Sequence, residues 1–151
     1  MMENTSDRSL IFERLDRIRD SMAEACLQCG RRPEDVTLMA VTKTVPAERV
    51  NLAIDWGIRL LGENRAQELC AKYDGYQLKR ENIHFIGHLQ TNKVKSIIDK
   101  VDMIHSVDSL KLAAEIDKLS AAHGRAMEIL VGVNGEKQES KSGVYPEDLP
   151  G

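Results

Sequence analysis

The chain has 151 residues, 42% of them hydrophobic and 30% charged, a balance that allows one domain with a sizeable core and excludes both intrinsic disorder and a second full domain. Its net charge of −3, with Lys and Arg spread along the helical stretches, offers no basic stripe for nucleic acid. Residues 1–7 are polar and acidic where a secretory signal is basic and then apolar, and no apolar run approaches membrane-spanning length, so a cytoplasmic protein without membrane contact is expected. Cys26, Cys29 and Cys70 are an odd number of thiols, best read as reduced.

Apolar residues at helical spacing predict a first amphipathic helix over 9–29, with Gly30 at its C-cap and Pro33 preventing its continuation. Residues 36–41, VTLMAV, form a short apolar run that reads as a strand buried on both faces. Pro46 opens a helix that Gly57 ends, and residues 58–61 make the second strand. A helix over 64–73, a strand over 83–86, and a helix over 92–100 capped by Thr91 or Asn92 follow. Residues 103–105 supply the fourth strand, and Asp108 or Ser106 can cap the next helix, which Gly124 stops. Residues 127–133 are the fifth strand, and 135–151 is a polar stretch without another helix.

Strand-like runs recurring roughly every 20–25 residues, each followed by a helix, imply right-handed crossovers and a parallel sheet. Two closures fit, an open doubly wound sheet or a barrel of eight strands and typically about 250 residues, and periodicity does not choose between them. In both, ligands meet the C-terminal ends of the strands. Lys43 stands directly after the first strand, where desolvation would expose the amine lone pair that attacks an aldehyde; the alternative is a lysine that snorkels to solvent. Asn64 can touch a ligand ring or cap the next helix. His84 and His88 lack the spacing and the third ligand of a metal site, and no metal is expected. His88 can line a ligand mouth, and Thr91 to Lys93 can cap a helix or hold an anion. The CxxC spacing of Cys26 and Cys29 falls at a helix C-terminus that disfavours a thiolate and reads as structural. No phosphate-cradling glycine loop of the dinucleotide or P-loop type follows any strand.

Five stretches in order, AVTKT (40–44), GEN (62–64) with Gln67 and Glu68, HFIGHLQTNK (84–93), HSVDS (105–109) and ESKSG (139–143), resemble the successive motifs of the pyridoxal-phosphate homeostasis protein family. The resemblance covers about residues 10–143 and implies a parallel α/β barrel, a (β/α)8 or TIM-type barrel like the N-terminal barrel of alanine racemase. By it, residues 1–151 form one incomplete barrel domain with about five of the eight strand–helix units, the units starting near residue 36.

The resemblance further implies that Lys43 carries pyridoxal 5′-phosphate as a Schiff base, that Asn64 lies beside it, and that no residue is catalytic. The expected role is buffering and delivery of the cofactor, with pyridoxal-phosphate-dependent apoenzymes as partners. Family members continue into further strands, whose loops supply the phosphate-binding groups and the partner of the pyridine nitrogen. A complete member is expected to be monomeric, and a chain with open first and fifth strands to self-associate. The rival readings are a racemase-like enzyme on the same barrel, which needs a second acid or base across the cofactor, and an inactive fragment.

Overall fold

A computed structural model describes residues 2–136 and 143–148. Helix α1 (Met2–Gln28) leads into four strand–helix steps and a fifth strand: β1 (Met39–Val41), α2 (Ala47–Trp56), β2 (Leu60–Glu63), α3 (Ala66–Lys72), β3 (Ile83–Phe85), α4 (Val94–Ile97), β4 (Met103–Val107), α5 (Leu110–Ala122) and β5 (Glu128–Val131). The strands form one sheet in the order β1-β2-β3-β4-β5, every neighbouring pair parallel. A doubly wound sheet reverses its strand order partway, whereas a barrel adds each strand beside the last. The consecutive order makes this sheet a five-stranded arc of a barrel, and the α/β barrel expectation holds.

Register decides which side chains go where. Leu61, Ile83, Phe85 and Ile104 point to the helix side and are fully buried against Leu69, Val94, Ile97 and Leu112 from α3, α4 and α5. Burying a side chain of this size contributes ~1.5–3 kcal/mol, so this layer is the main source of stability. The opposite face carries the row Val41, Gly62, His84, Met103 and Glu128, one residue from each strand. A Cβ on Gly62 would stand 2.7 Å from Met39 Sδ and 2.9 Å from Ile86 Cδ1, so only glycine lets those two side chains meet there.

The helix ends follow local chemistry. Gly30 (φ 70°), Gly57 (φ 135°) and Gly124 (φ 68°) take the positive φ values that stop α1, α2 and α5 where expected. Several boundaries differ. Strand β1 begins at Met39, three residues later than the apolar run suggests, because only residues 39–41 find partners on β2. Nor is it buried on both faces: Val41 is 51% exposed, since no described residue covers that side of the sheet edge. The cap of α5 is Ser109, whose Oγ accepts from Leu112 N–H at 3.3 Å, not Asp108 or Ser106. The helix expected over 92–100 is a 3-10 turn (Thr91–Lys93) running into the single turn of α4, with no side-chain cap from Thr91 or Asn92. None of the described helices is long and apolar enough to cross a membrane.

Candidate functional site

The strand ends gather the polar residues on one rim. Past β1, Thr42 N–H still donates to Gly62 O at 3.1 Å, and the chain then turns sharply over Thr42 to Val45, closed by Val45 N–H on Thr42 O at 3.2 Å. Lys43 and Thr44 are the central residues of this turn. Thr44 has φ 63°, a left-handed value that glycine or asparagine ordinarily supplies at the third position of a turn and that strains a β-branched residue. Lys43 is exposed, so of the two environments open to it from the sequence it takes the solvent one, at the rim.

Beneath the turn lies a network of buried charge. Glu63, at the last position of β2, is completely buried on the helix side, and its Oε1 accepts from Thr42 Oγ1 at 2.6 Å and Tyr76 Oη at 2.5 Å. Lys72, at the end of α3, approaches the same oxygen at 3.1 Å and donates to Glu68 Oε1 at 2.8 Å. The same ammonium donates to Thr42 O at 2.8 Å and Val45 O at 3.2 Å, and Glu68 Oε1 accepts from Thr44 N–H at 2.5 Å. Burial works against the Lys72 charge, but the hydrogen bonds to Glu68, Tyr76 and Glu63 outweigh it and push the lysine above its ordinary range. The hydrogen bond from Lys72 outweighs burial at Glu68 and holds that carboxyl below the usual range, and burial with the Glu63 contact raises Tyr76.

Asn64 follows β2. It does not cap α3, whose N-cap is Arg65, and its Oδ1 is buried with no hydrogen-bond partner among the described residues. Its backbone presses on Gly87 after β3: a Cβ there would fall 2.0 Å from Asn64 O. Gly87→Ala is therefore expected to force the two loops apart and cost ~1–3 kcal/mol, read as a lower urea midpoint. An unchanged midpoint would show that the loops yield freely.

Two cavities flank these loops. One of about 240 Å³ lies over β3, β4 and β5 among Gly87, His88, Ser106, Asp108, Gly132 and Gly143. The other, about 310 Å³, lies between the β2 and β3 loops, with Asn64, Arg65, Gln67, His88 and Lys93 in its wall. His88 lines both, as the sequence suggested, with Nδ1 3.6 Å from Asp108, and Ser106 Oγ donates to Gly87 O at 2.5 Å. Lys43 lines neither: Asn64 and His88 share one cavity, and Lys43 follows β1 at the same end of the sheet.

His84 does not pair with His88. It faces the open side of the sheet, its Nδ1 2.9 Å from His105 Nε2 on β4. Burial lowers both pKa values, and the neighbouring His105 lowers that of His84 further. No cluster of three or more potential metal ligands occurs among the described residues. Cys26 and Cys29 are free thiols, the first buried, and Cys29 Sγ sits 3.2 Å from Ala25 O, in keeping with a structural role. Of the last motif, residues 139–142 lie outside the described residues. Gly143 lies against the β5 end, where Val144 bridges Val133.

Sequence reasoning quoted Glu63, Gln67 and Glu68 within motifs but gave Glu63 and Glu68 no role, and it passed over Lys72 and Tyr76. The available signals were a carboxylate closing an apolar strand and a Glu–Lys pair four residues apart on one helix.

No family model matches the chain. Among curated proteins it is 40% identical over 137 residues to a Pyridoxal phosphate homeostasis protein of Aquifex aeolicus, covering 91% of this chain and 60% of that protein. Proteins of the same name from Pseudomonas aeruginosa and Escherichia coli K12 are 38% and 36% identical, with 94% and 92% of this chain and 62% and 61% of theirs covered. The chain thus spans about 60% of the length of these relatives. Among solved structures, an unknown protein from Bifidobacterium adolescentis superposes with a TM-score of 0.85 at 36% identity, covering 94% of this chain and 62% of the other. PipY of Synechococcus elongatus with PLP bound superposes with a TM-score of 0.71 at 34% identity, over 92% of this chain and 60% of that one.

Proposed function

We propose that this chain, a homologue of the pyridoxal phosphate homeostasis proteins, holds pyridoxal 5′-phosphate at the C-terminal rim of its sheet, with Lys43 as the covalent attachment point. The observation that carries the reading is the strained, pinned turn after β1, which presents the exposed Lys43 at the C-terminal rim of the sheet. Strained backbone of this kind concentrates at functional sites. The residues fit the group: Asn64 Oδ1 is a buried acceptor without a donor, suited to a ligand hydroxyl, and His88 and Ser106 line the adjoining cavity. When bound, the group would supply an aldehyde as electrophile for a C=N bond to the Lys43 nitrogen, with loss of one water. The chain's own part is to place that amine, to receive the ring beside Asn64, and to leave the bond open to solvent and hence reversible.

A reversible, exposed attachment suits a protein that buffers the cofactor and delivers it to apoenzymes in the cytoplasm rather than one that turns over a substrate. Racemisation needs a second acid or base across the cofactor. Alanine racemase activity that is lost in Lys43→Ala would overturn the carrier reading. Binding itself is tested by titrating the chain with pyridoxal phosphate and following absorbance: a saturable shift of the free aldehyde band is expected, and a spectrum equal to the sum of its parts would count against the proposal.

The two sheet edges, β1 and β5, carry exposed Val41, Leu130 and Val131, each about half exposed, and neither strand pairs with a further strand among the described residues. We infer self-association of the 151-residue chain through these edges. Size-exclusion chromatography with light scattering is expected to give a mass above 16.9 kDa that rises with concentration; a concentration-independent monomer would refute this.

A further inference from the structure

We propose that Glu68 and Lys72 are positioning residues: together they clamp the Thr42–Val45 turn from behind and so fix where Lys43 stands. The inference rests on the reading of Lys43 as the attachment point and adds what holds it.

The geometry is specific to the turn. One ammonium, Lys72 Nζ, binds the carbonyl oxygens at both ends of the turn, Thr42 O at 2.8 Å and Val45 O at 3.2 Å. Glu68 Oε1 takes the one central N–H that faces inward, that of Thr44, at 2.5 Å. The two residues bind each other at 2.8 Å, one helical turn apart on α3, so the clamp is a single unit on a rigid element. The clamp is anchored in turn to the buried Glu63 carboxylate, which also holds Thr42 Oγ1. Every backbone contact made by Glu68 and Lys72 lies on the residues flanking Lys43, whose own carbonyl accepts from Thr44 Oγ1 at 2.6 Å. Left alone, a threonine at φ 63° would relax toward the extended or helical region and carry the Lys43 Cα with it. The Glu68–Thr44 bond opposes that relaxation directly. A pre-organised amine meets its aldehyde without first ordering the loop, and that saving appears as affinity.

Glu68→Ala separates positioning from folding, because Lys72 keeps its contact with Glu63 and no charge is left buried without a partner. Glu68→Gln is the conservative control, since its amide oxygen can still accept from Thr44 N–H. Two readouts are taken on the whole chain: amide hydrogen exchange, and the rate at which pyridoxal phosphate with borohydride labels Lys43. In Glu68→Ala, exchange at Thr44 and Val45 is expected to accelerate at least about tenfold while Ile83 to Phe85 keep their protection, and Lys43 labelling to slow about tenfold. Glu68→Gln should recover most of both. Unchanged exchange at Thr44 in a folded Glu68→Ala chain overturns the clamp. Faster exchange with unchanged labelling of Lys43 overturns its positioning role. If the unsubstituted chain is not labelled at Lys43, the proposed function fails, and the exchange readout still decides whether Glu68 holds the turn.

Discussion

Lys43→Ala is expected to abolish the absorbance shift and borohydride-stable labelling of the chain by pyridoxal phosphate, while leaving its fold intact. The exposed Lys43 makes no packing contribution that alanine would remove, so the urea midpoint should move by no more than about 0.5 kcal/mol equivalent. The loss is expected to be complete because the attachment is covalent and no neighbouring amine replaces it: Lys72 also lies close to the turn, but its ammonium is committed to two carboxylates and two carbonyls. Residual labelling that maps to Lys72 would show that the buried network is open to the cofactor.

The second large effect falls on stability. Lys72→Met is expected to destabilise the chain by ~3–5 kcal/mol, because it removes the cation facing a fully buried Glu63 carboxylate whose Oε2 already has no partner. Coupled replacement, Glu63→Gln with Lys72→Met, removes both charges and should recover a large part of that loss. Denaturant unfolding of the three chains measures both quantities, and a Lys72→Met midpoint equal to that of the unsubstituted chain would show that the Lys72–Glu63 contact adds nothing to stability.

The same network sets a pH dependence. The Glu68 pKa is depressed on folding, chiefly by its hydrogen bond with Lys72, so its contribution is present above the unfolded value of 4.5 and is lost as pH falls through the folded one. That of Lys72 is raised, so its contribution is full below 10.5 and fades only as pH climbs beyond that. Lys72→Met should therefore flatten the acid limb of the stability profile below pH 4.5.

Much of the succession of strands and helices was legible because Gly30, Gly57 and Gly124 end α1, α2 and α5 before the next apolar run begins. Limits of elements were less so. Ile58 belongs to an apolar run, yet its N–H donates to Ala53 O and ties it to the end of α2, so β2 starts only at Leu60. Strand β1 loses residues 36–38 because pairing, which sequence does not display, begins at Met39. The consecutive strand order was equally invisible to periodicity; the motif resemblance, not composition, pointed to a barrel.

At the site, Lys43 and Asn64 stood out by following apolar strands, and the rim is where both are found. What holds them was not readable. Glu63 and Lys72 are nine residues apart on different elements, and only the docking of α3 against β2 brings them to 3.1 Å. His84 and His105 meet because β3 and β4 happen to place them on one face of the sheet, which depends on a register no single strand encodes. The environment of Lys43 was left open by the sequence for a related reason: a strand end gives a desolvated amine only if another layer covers it, and the turn carries this one out to solvent.

The central claim is tested most directly by reducing a mixture of the 151-residue chain and pyridoxal phosphate with borohydride and mapping the modified peptides by mass spectrometry. One dominant, saturable label on Lys43 is expected, displaced by no other lysine at stoichiometric cofactor. Labelling spread over the surface lysines in proportion to their exposure, or none at Lys43, would contradict it.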